Sequence, residues 1–225
     1  MLRRRGSAIG GQFQRRLSAS CQSLQSTPFR NIRSMTEDDE YQPDEIRSAS
    51  EIATRALALF AVVGTALGAP RTDVVEWLRR ESLWEALSPQ EMVFLSQDSP
   101  SERELINATW RSEALLMLLW SIGLIDDLPK LNDQCDAGAF QAVLPPFAGV
   151  TAGEFVAGAR RREDAELLEM ADSLMNAHWE AREAKCNGRP VPERLHLGIV
   201  QERHYGINWA TGYGGLPWND VTTDT

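Results

Sequence analysis

The segment that most limits the possible folds is SERELINATWRSEALLMLLWSIG, Ser101 to Gly123. Ser101 followed by Glu104 is a capping box, in which each side chain satisfies a backbone N–H that the first helical turn leaves free. Gly123 supplies a C-cap. Between those ends ALLMLLW, residues 114–120, is apolar on every side. A helix with no polar face needs neighbours all round it, so the segment predicts a helical bundle with itself at the centre.

The rest of the chain supplies such neighbours. A helix is expected from about Asp44 to Leu67, stopped at GAP, where Gly68 can cap and Pro70 forbids continuation. A second starts at Thr72 or Asp73, and a third at Ser88, with Pro89 at its first position and Glu91 completing another capping box. Residues 125–150 are turn-rich. A long helical stretch then runs from Thr151 to about Lys185, with a break near Arg160 to Arg162, and the last helix spans about Glu193 to Ala210. No strand signal stands out. The expected fold is all-α: one helical domain over residues 44–225 with an irregular C-terminal tail docked on it, preceded by an acidic linker at 35–43.

Residues 1–34 differ from everything that follows, with seven arginines and no acid. Composition alone fits either a disordered extension or a mitochondrial transit peptide, and the first reading is preferred. From Met35 onward there are 16 basic and 32 acidic residues, a net charge of -16. Such a surface repels phosphate backbones, which argues against nucleic acid as a partner. The longest apolar run, Ala56 to Pro70, is shorter than the roughly 18 residues of a membrane span. Cys21, Cys135 and Cys186 are odd in number and widely spaced, which argues against a disulfide framework and a structural zinc site. They suit a reducing compartment, so the expected location is cytoplasmic, or mitochondrial if residues 1–34 act as a transit peptide.

Two histidines stand where helical periodicity demands an apolar residue. His178 follows Leu167, Ala171 and Leu174, while His204 shares a stripe with Leu197, Val200, Ile207 and Asn208. Either they do acid–base or metal chemistry, or they are core histidines with hydrogen-bond partners, and the second reading leads. No His-x-x-x-His spacing occurs, so no metal and no cofactor are expected. ATGYGG lacks the strand and the Lys-Ser/Thr of a phosphate loop, and reads as a hinge. Charged groups on these helices form a candidate polar cluster of Arg111, Glu113, His178, Arg182, Glu202, Arg203, His204, Asp220 and Asp224. Trp110, Trp179, Trp209 and Trp218 are its aromatic support.

Four ordered motifs, WRSEALLMLLWSIGLID, HWEAR, ERHYGINW and the terminal WNDVTTDT, together resemble the domain-of-unknown-function family numbered 4272, found mainly in bacteria. The resemblance covers about Ile46 to Thr225. It implies a mostly helical domain of about this length, and it carries over no reaction.

Three functions fit this reading. The first is a cytoplasmic binding or regulatory module in which the polar cluster is mainly structural. The second is a small hydrolase-like enzyme with His178 and His204 in a cleft beside the tail. The third is an immunity or antitoxin-like protein whose acidic surface covers a basic partner. The tail itself is expected to be latched by Asp220 or Asp224 paired with Arg111 or Arg182, shielded by Trp209 and Trp218 across a turn at Gly212, Gly214 and Gly215.

Overall fold

The computed structural model describes residues 45–225; the readings of residues 1–34 as an extension and 35–43 as a linker lie outside them. Seven α-helices and no strand occur among the described residues: α1 (Ala49–Ala66), α2 (Arg71–Arg80), α3 (Pro89–Ser96), α4 (Glu102–Ser121), α5 (Ala152–Gly158), α6 (Asp164–Cys186) and α7 (Leu197–Ala210). The fold is all-α.

Local chemistry fixes most of these ends. The capping boxes at Ser88 and Ser101 form as expected, and another at Ser48 with Glu51 starts α1 later than the sequence reading had it. Gly68 and Gly123 close α1 and α4 in the left-handed region. The break near Arg160 to Arg162 also forms, and it has a partner. The Arg162 backbone N–H donates to the Ser121 carbonyl, and its guanidinium Nε donates to the Trp120 carbonyl at 2.7 Å. Both carbonyls lie in the last turn of α4, where the helix leaves acceptor capacity unused and its dipole is negative, so a cation there is doubly favoured.

The centre of the bundle is α4, with Ala114, Leu115, Leu118 and Leu119 fully buried. It lies against α1 on one side and α7 on another, and α6 covers the far side of α7. By length and composition α1 is apolar enough to cross a membrane, yet 67% of it is buried inside the bundle. The α4–α7 crossing depends on Gly206. A Cβ there would stand 2.7 Å from the Ala114 carbonyl oxygen, so only glycine lets the two backbones come this close.

Beyond α7 the chain turns at Gly212, with φ of +75°, and a Cβ at that position would lie 2.0 Å from the Glu45 carbonyl oxygen. Gly214 and Gly215 also have positive φ, as a tight reversal requires. The start of the described chain crosses the end of α7 here: Arg47 donates through its backbone N–H to Ala210, through Nε to Trp209 and through Nη2 to Leu216. The tail is docked, and its anchor points are backbone carbonyls.

Candidate functional site

The nine charged and histidine residues expected in one polar cluster divide among four places. Helix geometry explains why. Arg111 and Glu113 on α4 are two residues apart, about 200° around the axis, and Glu202 and Arg203 on α7 are about 100° apart. Each helix therefore presents one charge inward and one outward.

The inward pair is Glu113 with Arg203. Arg203 Nε donates to Glu113 Oε2 at 2.8 Å, and the two side chains are 1% and 0% exposed. Their remaining capacity goes to the irregular segment after α4. Cys135 N–H donates to Glu113 Oε1 at 2.8 Å, and Arg203 donates to the carbonyls of Pro129 and Asp133 at 2.6 and 3.2 Å. This pair pins a loop. It also disarms Cys135, whose thiol is pushed up to about 12, first by burial and then by the Glu113 charge. A thiol with that pKa is no nucleophile at neutral pH.

The second place is the histidine pair, His178 on α6 and His204 on α7. Their Nδ1 atoms are 3.2 Å apart, with the rings edge to face at 76°. Burial pulls His178 down to about 3, helped by the His204 and Arg182 charges, and pulls His204 down to about 4 against the attraction of Asp224. Both are neutral at pH 7, so one Nδ1–H donates to the other Nδ1. His204 also borders a cavity of about 340 Å³ beside the tail, shared with Asp172, Asn208, Thr211 and Asp224, while His178 sits behind it. Among the described residues no three His, Cys, Asp or Glu side chains are grouped to hold a metal ion. His196 is half-buried and stacked on Trp110 at 5.6 Å and 11°.

The third place is the tail, and here the expected ion-pair latch does not form. Asp220 and Asp224 are exposed, Asp224 accepts from the Thr222 hydroxyl at 2.8 Å, and Arg182 donates to Thr225 Oγ1 at 3.2 Å. The reason is local. Trp218 to Asp220 is a single 3₁₀ turn, and with Trp218 inserted into the bundle Asp220 points away from it. Trp218 is the latch. Arg55 lies over its ring at 4.5 Å, Tyr205 and Trp209 meet it edge to face at 5.0 and 5.5 Å, and Tyr205 OH donates to its carbonyl. Asn208 Nδ2 donates to the Thr222 carbonyl at 3.0 Å. Trp209 supports the tail as expected, under the Arg47 guanidinium at 4.4 Å. Trp179 does not support the cluster, since it is 55% exposed on the far face of α6.

The outward charges open onto solvent. Arg111 Nη1 meets Glu202 Oε2 at 3.1 Å, and its guanidinium lies over the Tyr205 ring at 4.3 Å. This pair lines a groove of about 670 Å³ between α3, α4, α7 and the tail. Trp110, Trp218 and Asn219 share the lining, together with the carboxamides of Gln90, Asn107 and Gln201 and an apolar edge of Val93 and Phe94. A second ion pair, Arg55 with Glu91 at 2.5 Å, closes its inner end. Glu104, also in the lining, has its carboxyl held down at about 2 by hydrogen bonds from Ser101 and Gln97, so it is an anion. Gln201 Oε1 is buried and has no hydrogen-bond donor among the described residues.

Sequence reasoning missed Arg55, Glu91, Tyr205 and the carboxamides. Arg55 did leave a signal, as the one charge inside the apolar sequence IATRALALFAVV. A charge on a buried helix face demands a partner.

Comparison with known proteins adds the family. Residues 16–221 match the family described as Domain of unknown function (DUF4272), and a match over most of the chain means that the protein belongs to it. The match begins well upstream of Ile46, inside the arginine-rich segment, so part of that segment is family sequence. No curated protein matches the chain, and neither does any solved structure.

Proposed function

We propose that this member of the DUF4272 family is a binding module, whose groove between α3, α4, α7 and the tail takes an extended segment of a partner polypeptide. One observation carries the reading. Residues from three separated motifs, Trp110 and Arg111, Glu202, and Trp218 with Asn219, meet at the same solvent-open groove. The chemistry around them suits a peptide backbone. Carboxamides both donate and accept, as a peptide group does, and four of them line the groove: Gln90, Asn107, Gln201 and Asn219. The undonated Gln201 Oε1 wants an N–H. Val93, 59% exposed, offers apolar surface for a side chain of that segment.

The hydrolase-like alternative is less well supported. Its two histidines point at each other in the interior, and a buried pair of neutral rings reads as packing that has found its hydrogen bond. A cytoplasmic setting is part of the proposal; it rests on the odd number and wide spacing of the cysteines, and the disulfide bond of Cys186 counts against it.

The test is selection from a displayed peptide library, followed by binding of the recovered peptides to Val93→Asp and Asn107→Arg. Both positions are exposed in the groove, so neither change should unfold the domain. Loss of binding by about tenfold or more is the expected outcome. Unaltered affinity in both variants would sink the groove as the site.

A further inference from the structure

Helix α6 has two apolar faces and buries only one of them. Leu167, Leu174, His178, Ala181 and Ala184 are buried in the bundle. On the other side Leu168, Met175 and Trp179 remain 49, 41 and 55% exposed. Steps of seven and then four residues keep these three within about 40° of one line along the helix. Scattered exposed apolar residues are ordinary, but an aligned row of large ones marks an interaction surface.

What borders the row identifies its occupant. Leu168 and Met175 also form one wall of the cavity of about 340 Å³, with Asp172 on the same wall and Asp224 on the tail side. Its floor is His204, Asn208 and Thr211. An apolar row beside a cavity with two carboxylates suits a long aliphatic chain that ends in a cation. Glu169 and Asp172 keep the exposed margin of α6 acidic, and Arg182 donates to Thr225.

We propose that the outer face of α6 and the adjoining cavity are a docking surface for a basic amphipathic helix of a partner protein. The apolar side of that helix lies on Leu168, Met175 and Trp179, and one of its lysines or arginines enters the cavity toward Asp172 and Asp224. This is the helix-in-groove mode of recognition, with charge setting the choice of partner. A second copy of this chain is disfavoured, because from Met35 onward the sequence carries a net charge of -16 and brings acid against acid. Anionic lipid is disfavoured for the same reason. The surface is separate from the peptide groove and does not depend on it.

The test uses the full chain and a fluorescently labelled synthetic peptide of 18 or so residues, with leucines on one helical face and lysines flanking them. A scrambled peptide of the same composition serves as control. Fluorescence anisotropy should show saturable binding of the amphipathic peptide and at least about tenfold weaker binding of the scrambled one. Met175→Glu and the Asp172→Asn/Asp224→Asn double variant should each weaken binding by about tenfold, with circular dichroism unchanged because the positions are exposed. Equal binding of both peptides, or indifference to both variants, would reduce the effect to bulk charge and overturn the proposal. So would binding that appears only after residues 1–34 are removed, which would assign the face to the chain's own amino-terminal segment. Concentration-dependent self-association abolished by Trp179→Asp would assign it to a second copy instead.

Discussion

Two arginine–glutamate pairs bridge the same two helices, α4 and α7, from nearly adjacent sequence positions. Glu113 with Arg203 is sealed at 0% and 1% exposure, whereas Arg111 with Glu202 stands at 29% and 12% on the wall of a groove. In the sealed pair each side-chain nitrogen and oxygen has a protein partner, with two loop carbonyls and one N–H completing the ion pair. The open pair keeps water on one side and an aromatic ring on the other. Identical chemistry thus does different things on the two sides of one helix crossing. Inside, charge organises backbone; outside, it presents a surface.

The largest expected effect comes from breaking the sealed pair. Glu113→Gln leaves a buried guanidinium facing an amide, which should destabilise by about 3 to 5 kcal/mol in denaturant unfolding. Replacing both partners, Glu113→Leu with Arg203→Met, should recover a good part of that loss, since the desolvation cost leaves with the charges. Amide exchange in the loop after α4 should nonetheless rise in the double variant, because the Pro129 and Asp133 carbonyls and the Cys135 N–H lose their anchors. A single-variant cost below about 1 kcal/mol would mean that water reaches the pair, and would erase the contrast.

Next in size is the tail. Trp218→Ala removes a ring packed by Arg55, Tyr205 and Trp209, and should cost about 3 kcal/mol. Asp220→Asn and Asp224→Asn should each stay within about 0.5 kcal/mol, since both carboxylates are exposed. The reverse ordering would restore the ion-pair latch read from the sequence.

That misreading shows what a sequence does and does not carry. Capping boxes are local, so Ser88, Ser101, Gly123 and the break at Arg160 to Arg162 were all legible. The all-round apolar ALLMLLW gave the centre of the bundle, and the histidine stripes gave two residues that do meet. Partner choice was not legible, because it is set by how far each helix turns and how closely helices cross. Gly206 illustrates the point. Nothing in YGIN announces a backbone approach so close that a Cβ on Gly206 would stand 2.7 Å from the Ala114 carbonyl oxygen, yet that approach governs which face of α7 meets which face of α4. Arg111 therefore found Glu202, and the tail aspartates stayed in water.

A pH titration of stability separates the histidine pair from both ion pairs. Folding lowers His178 to about 3 and His204 to about 4, while the unfolded chain binds protons near the ordinary value of 6.5. Below pH 6.5 the unfolded state holds more protons, so stability is full above that point and falls as the pH drops toward 4. From pH 7 to pH 5.5 the loss should be about 2 kcal/mol for the two rings together. The carboxylates with lowered values, Glu51, Glu104 and Glu154, lose their contributions only below their ordinary value of 4.5, outside this window. His178→Phe with His204→Leu should remove most of the slope between pH 5 and 7, leaving what His196 adds, since burial lowers its value too. A slope as steep as that of the parent protein would place the titrating groups elsewhere.

The smallest effect is the other half of the opening comparison. In a double-mutant cycle of Arg111→Met and Glu202→Gln, the coupling should be about 1 kcal/mol or less, because solvent screens the pair and already hydrates each partner when the other is gone. Raising the salt to about 1 M shortens the screening length to about 3 Å, and should reduce this coupling further while leaving that of Glu113 with Arg203 nearly unchanged. Peptides selected on the groove should respond in the opposite proportion, losing affinity with Arg111→Met although the fold barely registers the change. A coupling of 3 kcal/mol or more, well above the usual range for exposed pairs, insensitive to salt and with no effect on peptide binding, would make the outward pair a second structural clasp and remove the groove's claim to be a site.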